Sequence, residues 1–277
     1  SFGFYILFVV LGQASFSFSG LLNACLPLLT GQYWFASVYV GMYILFPFVN
    51  KALQAMNEKQ HRILCLVLFA LFTLYLPSTA LVVNGYGIAW MLALYVFGAY
   101  LRLYYKPAGK LNWKIIFFYF APTILLPLSR FGIDFANQFL PLDLSAYSKF
   151  FYKNNSVFVC LSAVALLVVF LNVKIKSHFA ARIIQAVAPM TFGVYLVHNN
   201  PTIRDWLWQT LHPTAYLNKP WFFLYGFGII LMLFVMSAAI EFVRSRLYDK
   251  WETSKLWSRI CVAFEAFGKK KFPSANG

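Results

Sequence analysis

The residues best suited to chemistry form one run, Thr191-Phe-Gly-Val-Tyr-Leu-Val-His-Asn-Asn-Pro-Thr-Ile-Arg204-Asp205. Tyr195 and His198 are three apart, and Tyr195 and Asn199 are four apart, so a helix puts each pair on one face. A histidine changes charge near neutral pH and can take the proton of a hydroxyl as a general base. Asn199 and Asn200 add hydrogen-bonding groups beside it. Polar groups at the ends of apolar segments are costly in lipid, which makes this run the leading candidate for substrate contact. The competing reading is that His198 and its neighbours only satisfy the end of a helix stopped by Pro201.

Other candidates carry charge or large rings. Arg130 with Asp134 and Arg204 with Asp205 are expected on outer loops, where they could grip sugar hydroxyls or phosphates, or stand as solvated surface ions. Trp34 sits with Tyr33, Tyr39 and Tyr43 at the start of an apolar segment, a place that aromatic belts also favour. Gln13 and Asn23 read as helix–helix contacts. Cys25, Cys65, Cys160 and Cys261 lack metal-ligand spacing and read as packing residues, and no metal is expected. There is no HExxH, GxSxG, P-loop or GxGxxG, so zinc protease, serine hydrolase and nucleotide-motor readings have no motif behind them.

The elements that must hold these residues follow from composition. With 61% hydrophobic, 20% aromatic and 11% charged residues, the 277-residue chain has more apolar surface than a soluble fold can hide. Apolar blocks nearly free of charge run at about 3–19 (a partial segment), 33–50, 63–82, 87–104, 115–129, 155–173, 183–199 and 220–241. Their lengths suit a hydrocarbon core about 30 Å thick. Lipid offers backbone groups no partner, so such blocks must be helices. The expectation is an all-α, multi-pass transmembrane bundle with seven full spans and one partial span.

Charge orients it. The net charge is +15, but 18 of the 23 Lys and Arg fall in alternate loops and in the C-terminal tail. That pattern is membrane topology and not a nucleic-acid face. It predicts a plasma (inner) membrane protein with a cytoplasmic C-terminus and with 20–32, 83–86, 130–154 and 200–219 outside. The expected division is a membrane domain over 1–243 and a basic amphipathic tail over 244–277 lying on anionic lipid. Outer loop 130–154, long and aromatic, could cover a pocket. The opening Ser1-Phe-Gly-Phe, with neither methionine nor a signal peptide's basic region, reads as a chain missing sequence upstream.

Two stretches carry a resemblance. Gln32-Tyr-Trp-Phe35, followed by Tyr39 and a span ending Ile44-Leu-Phe-Pro47, together with Phe192-Gly-Val-Tyr-Leu-Val-His198, resembles acyltransferase family 3 of membrane O-acyltransferases. Helix order between the two stretches also matches. The resemblance implies about ten membrane helices in the complete protein. It also implies transfer of an acyl group, commonly acetyl from acetyl-CoA as co-substrate, to a hydroxyl of an envelope or exported carbohydrate or glycolipid. In that family the first helix supplies an Arg and a catalytic His, which have no counterpart here, so residues 1–277 alone are expected to be inactive. On this basis His198 and Tyr195 are the catalytic candidates. Trp34, Asn199, Asn200, Arg204 and Arg130 are the substrate-binding ones. No CoA-binding residue is assigned, although loops 51–62 and 102–114 offer cations for its phosphates.

Two other classes compete. A transporter or flippase for lipid-linked glycans would want charged groups inside its spans, which are nearly free of them. A polysaccharide polymerase or ligase would be expected to use arginine-rich outer loops, and here the outer arginines are Arg130 and Arg204.

Overall fold

The computed structural model describes residues 1–75, 85–140, 143–253 and 257–258, and among these there is no strand. The helices are α1 (Phe2–Val10), α2 (Phe18–Cys25), α3 (Trp34–Gln54), α4 (Glu58–Phe69), α5 (Ile88–Tyr104) and α6 (Trp113–Phe139). They continue with α7 (Val157–Asn172), α8 (His178–Val187), α9 (Thr191–His198), α10 (Pro201–Leu211) and α11 (Phe222–Glu252). Among the described residues, five stretches have the length and hydropathy to cross a bilayer: Trp34–Gln54, Trp113–Phe139, Ser145–Asn172, His178–His198 and Phe222–Glu252. Helix α5 is a shorter apolar helix.

The expected segments are recognisable but differently cut. The partial segment 3–19 is two helices: α1 ends at Val10, the chain turns through Gly12 at φ 69°, and the Ser17 hydroxyl caps the start of α2. The segment 63–82 begins as α4 and continues as a π-helical turn at Ala70–Tyr75, and its last seven positions lie outside the described residues. The segment 115–129 is longer than expected, because α6 passes through Pro122 and Pro127 and runs on to Phe139. Arg130 and Asp134 are therefore on a helix and not on an outer loop. Helix α11 passes position 243 without a break and carries Arg244, Arg246 and Lys250 as its continuation. The later tail residues Ile260, Cys261, Phe264 and Phe267 lie outside the described residues.

The chain forms two compact units. One spans Leu28–Lys176, with α5 at its centre against α3 and α4, and α6 paired with α7. Trp90, Ala93 and Phe97 of α5 pack with Cys160 of α7, closed over by Cys65, Leu68 and Phe69 of α4. Polar side chains in this unit tie elements together. The π turn leaves the Phe72 carbonyl open to a side chain, and Asn155 Nδ2 donates to it at 2.8 Å. At the opposite end of α7, buried Asn172 accepts from the Ala108 N–H and donates to the Tyr105 hydroxyl and the Val168 carbonyl. His61, fully buried on α4, places Nε2 3.1 Å from the Val96 carbonyl, with the rings of Tyr100 and Tyr104 set edgewise about it. These contacts gather the basic connections after α3, α5 and α7 at one end of the unit.

The stretch 143–156 folds onto the helices that flank it. Asn137 Oδ1 accepts from the Leu144 N–H at 2.7 Å, the Ser148 hydroxyl donates to Asp134, and two short 3₁₀ turns pack on α6 and α7.

The other unit joins Ser1–Pro27 to Ser177–Gly277. Here α9 packs along α11, and Val197, Ile203 and Leu207 form a core with Phe4 and Phe8 of α1 and Leu233 of α11. The Tyr225 hydroxyl donates to the Leu211 carbonyl at 2.7 Å, fastening α10 to α11.

Candidate functional site

Helix α9 is only eight residues long, and it holds the leading candidates. Its one-turn spacing does what the sequence implies. The Tyr195 and His198 rings lie 6.1 Å apart at 81°, and the Asn199 amide stands 3.4 Å from the Tyr195 hydroxyl. His198 is exposed, with Nδ1 2.7 Å from the Val194 carbonyl. A carbonyl can only accept, so Nδ1 carries the hydrogen of this contact, and Nε2 is the ring nitrogen that the contact leaves for proton exchange.

His198 also edges a small cavity of about 150 Å³ whose walls include Phe8, Val197, Trp206, Ser237 and Ile240. The lining is almost wholly apolar, with His198 and Ser237 as its polar side chains. The exposed ring thus stands at the border between this apolar lining and its surroundings.

The neighbours differ in role. Asn200 is 1% exposed and acts as the N-cap of α10, its Oδ1 3.4 Å from the Ile203 N–H and its Nδ2 3.4 Å from the Ser1 hydroxyl. Pro201 then occupies the first turn of α10, where a missing N–H has no consequence. The motif thus ends one helix and starts another. Arg204 and Asp205 are adjacent on α10, joined at 3.2 Å and open to solvent. Their helix occupies much of the 200–219 connection.

Trp34 and Arg130 belong to the unit formed by Leu28–Lys176. Trp34 starts α3 and stands edge to face with Tyr86 at 4.7 Å, with Phe35 at 5.8 Å. Arg130 pairs with Asp134 one turn later at 3.5 Å, each about half exposed, in the manner of a solvated ion pair. The same unit holds a cavity of about 620 Å³ between α3 and α5, lined by Asn50, Gln54, Tyr95 and Arg102, in which the Tyr95 hydroxyl donates to Asn50 Oδ1 at 2.6 Å.

Sequence reasoning passed over Glu241. It lies on α11 at 8% exposure, in a helix with almost no other polar group across its apolar stretch. Arg244, one turn on, forks onto its carboxylate at 2.5 and 2.7 Å. The carboxylate fills the space beside Gly193 of α9: a Cβ added there would meet Glu241 Cδ at 2.2 Å. The signal was present in the sequence as a lone acid near the end of an apolar block, with a glycine in the block that must face it.

A bundle of bilayer-length apolar helices with a histidine–tyrosine face at one helix end defines an integral membrane protein with a candidate acid–base site. The family model for the acyltransferase family 3 domain matches residues 1–241, and the chain belongs to that family. It is therefore a membrane acyltransferase. No curated protein and no solved structure matches the chain.

Proposed function

We propose that this acyltransferase moves an acetyl group from acetyl-CoA to a hydroxyl of an envelope or exported carbohydrate, with His198 as the base. The observation that carries the reading is the placing of His198, with Nδ1 directed to the Val194 carbonyl and the ring at the edge of an apolar cavity.

The chemistry balances as follows. Nε2 takes the proton of the acceptor hydroxyl as its oxygen attacks the thioester carbonyl. The new C–O bond forms a tetrahedral oxyanion, for which the Tyr195 hydroxyl and the Asn199 amide are the candidate hydrogen-bond donors. The C–S bond then breaks, and the proton passes from His198 to the departing sulfur. Within the unit Leu28–Lys176, the cavity lined by Asn50, Tyr95 and Arg102 is by itself a candidate pocket for a phosphate-bearing group, since a guanidinium grips phosphate bidentately. Aromatic Trp34 and Tyr86 offer ring surface to a sugar.

The test is transfer of labelled acetyl from acetyl-CoA to glycan in membranes carrying the protein. Label on glycan that disappears in His198→Gln supports the reading. Movement of glycan across the membrane with no label transferred replaces it with the transporter reading.

A further inference from the structure

Helices α9 and α11 form two walls of the cavity at His198, and their spacing is set one turn away by Gly193 and Glu241. Val197 and His198 line the cavity from α9, and Ser237 and Ile240 line it from α11. Gly193 lies five residues before His198, and Glu241 directly follows Ile240. At this crossing the Glu241 carboxylate occupies the place a side chain at 193 would need, with its Cγ, Cδ and Oε2 all within 2.4 Å of where a Cβ would stand.

A carboxylate buried to 8% exposure in an apolar helix is expensive unless neutralised and fixed. Arg244 neutralises it from the same helix and is itself largely exposed, so the pair needs nothing from α9 to satisfy its charge. What α9 supplies is the glycine notch. The shape of the carboxyl group, more than its charge, is therefore what meets α9.

We propose that Glu241 is a positioning residue: by filling the notch at Gly193 it fixes the register of α9 on α11 and thereby the placing of His198 and Tyr195. The catalytic part of this inference rests on the function proposed above, whereas the structural part stands apart from it.

Four variants separate shape from charge. Glu241→Gln keeps the shape and loses the charge, whereas Glu241→Asp keeps the charge and withdraws from the notch. Gly193→Ala drives a methyl into the carboxylate. The double variant Gly193→Ala with Glu241→Ala replaces one filling group by the other. Each is purified as the intact membrane protein, and two quantities are read. The first is the kcat and KM of acetyl transfer. The second is the rate at which diethyl pyrocarbonate modifies His198, resolved by mass spectrometry against His178 and His212, which are exposed and serve as internal references.

The expected result is that Glu241→Gln stays near the starting protein in both. Glu241→Asp and Gly193→Ala should lose about 10–100-fold in kcat at nearly constant KM, as small misplacements of a catalytic group do. They should also change the His198 modification rate while His178 and His212 stay constant. The double variant should recover part of both losses, the non-additivity expected of groups sharing one space. A Glu241→Asp protein that behaves as the starting protein beside an impaired Glu241→Gln would overturn the proposal, because charge would then be what matters. So would a His198 modification rate unmoved by Gly193→Ala. A modification rate that shifts and recovers in a protein whose acetyl transfer ignores His198→Gln upholds the positioning role and removes the catalytic one.

Discussion

At the scale of single residues, the state of one proton decides what His198 can do. Because Nδ1 is tied to Val194, the nitrogen that can accept a proton is the outward one, and a substitution that keeps polarity but removes basicity is the sharpest probe. His198→Gln is expected to lower kcat for acetyl transfer by roughly 10²–10⁴-fold, the usual range for loss of a general base. A loss under tenfold would make the ring a helix-end group. Asn200 gives the opposite expectation. Buried and employed as a cap, it should respond to Asn200→Ala with a loss of about 1 kcal/mol of stability and little change in acceptor KM, measured by thermal unfolding and kinetics of the same preparation. The pairing of Tyr195 with His198 was legible from the spacing alone, because helical periodicity leaves no other arrangement. The cap at Asn200 was legible only as an alternative, since an asparagine before proline serves equally at a site and at a helix start.

At the scale of elements, the helices are explained by the bilayer, but their ends are explained by side chains. Pro122 and Pro127 lie within the expected segment 115–129, but α6 continues past its end to Phe139, where it is held by Asn137 and by the Asp134 contact with Ser148. Lipid leaves a backbone with no alternative to helix, so the helix runs on although each proline frees one carbonyl of the preceding turn. This is why Arg130 and Asp134 moved from loop to helix. The π turn at Ala70–Tyr75 was invisible to periodicity, because an extra residue per turn changes no composition. Asn155, buried and bonded to the Phe72 carbonyl, marks it. Asn155→Ala is expected to destabilise by about 1–3 kcal/mol, the penalty of leaving a buried carbonyl unpartnered, read as a lower unfolding midpoint in detergent. Asn155→Asp, which removes the donor and adds a charge, should be worse. An unchanged midpoint in both would show the turn is held by packing alone.

At the scale of the whole molecule, the helical membrane class was legible, because so apolar a chain has few other ways to exist. The division into two units was not, since it depends on which faces meet and not on where hydrophobicity falls. Charge sorting makes a testable statement across the molecule. Cysteines introduced at Lys110 and Lys250 should react with a membrane-impermeant maleimide from the same side, and one at Ser145 from the other, in sealed vesicles of known orientation. Lys110 and Lys250 labelling from different sides would undo the assigned topology. Helix α11 adds one consequence of its own. At 31 residues it is roughly 46 Å long, against a hydrocarbon core of about 30 Å, so a sizeable part stands clear of the acyl chains unless the rod leans over. Arg244, Arg246 and Lys250 lie on its C-terminal part, where cations favour lipid phosphates, and they form a collar expected to set how deep the rod sits. Because Glu241 lies just inside the collar, a thinner or thicker membrane would pull on the rod at the point where α9 rests, and acyl transfer would become sensitive to lipid chain length.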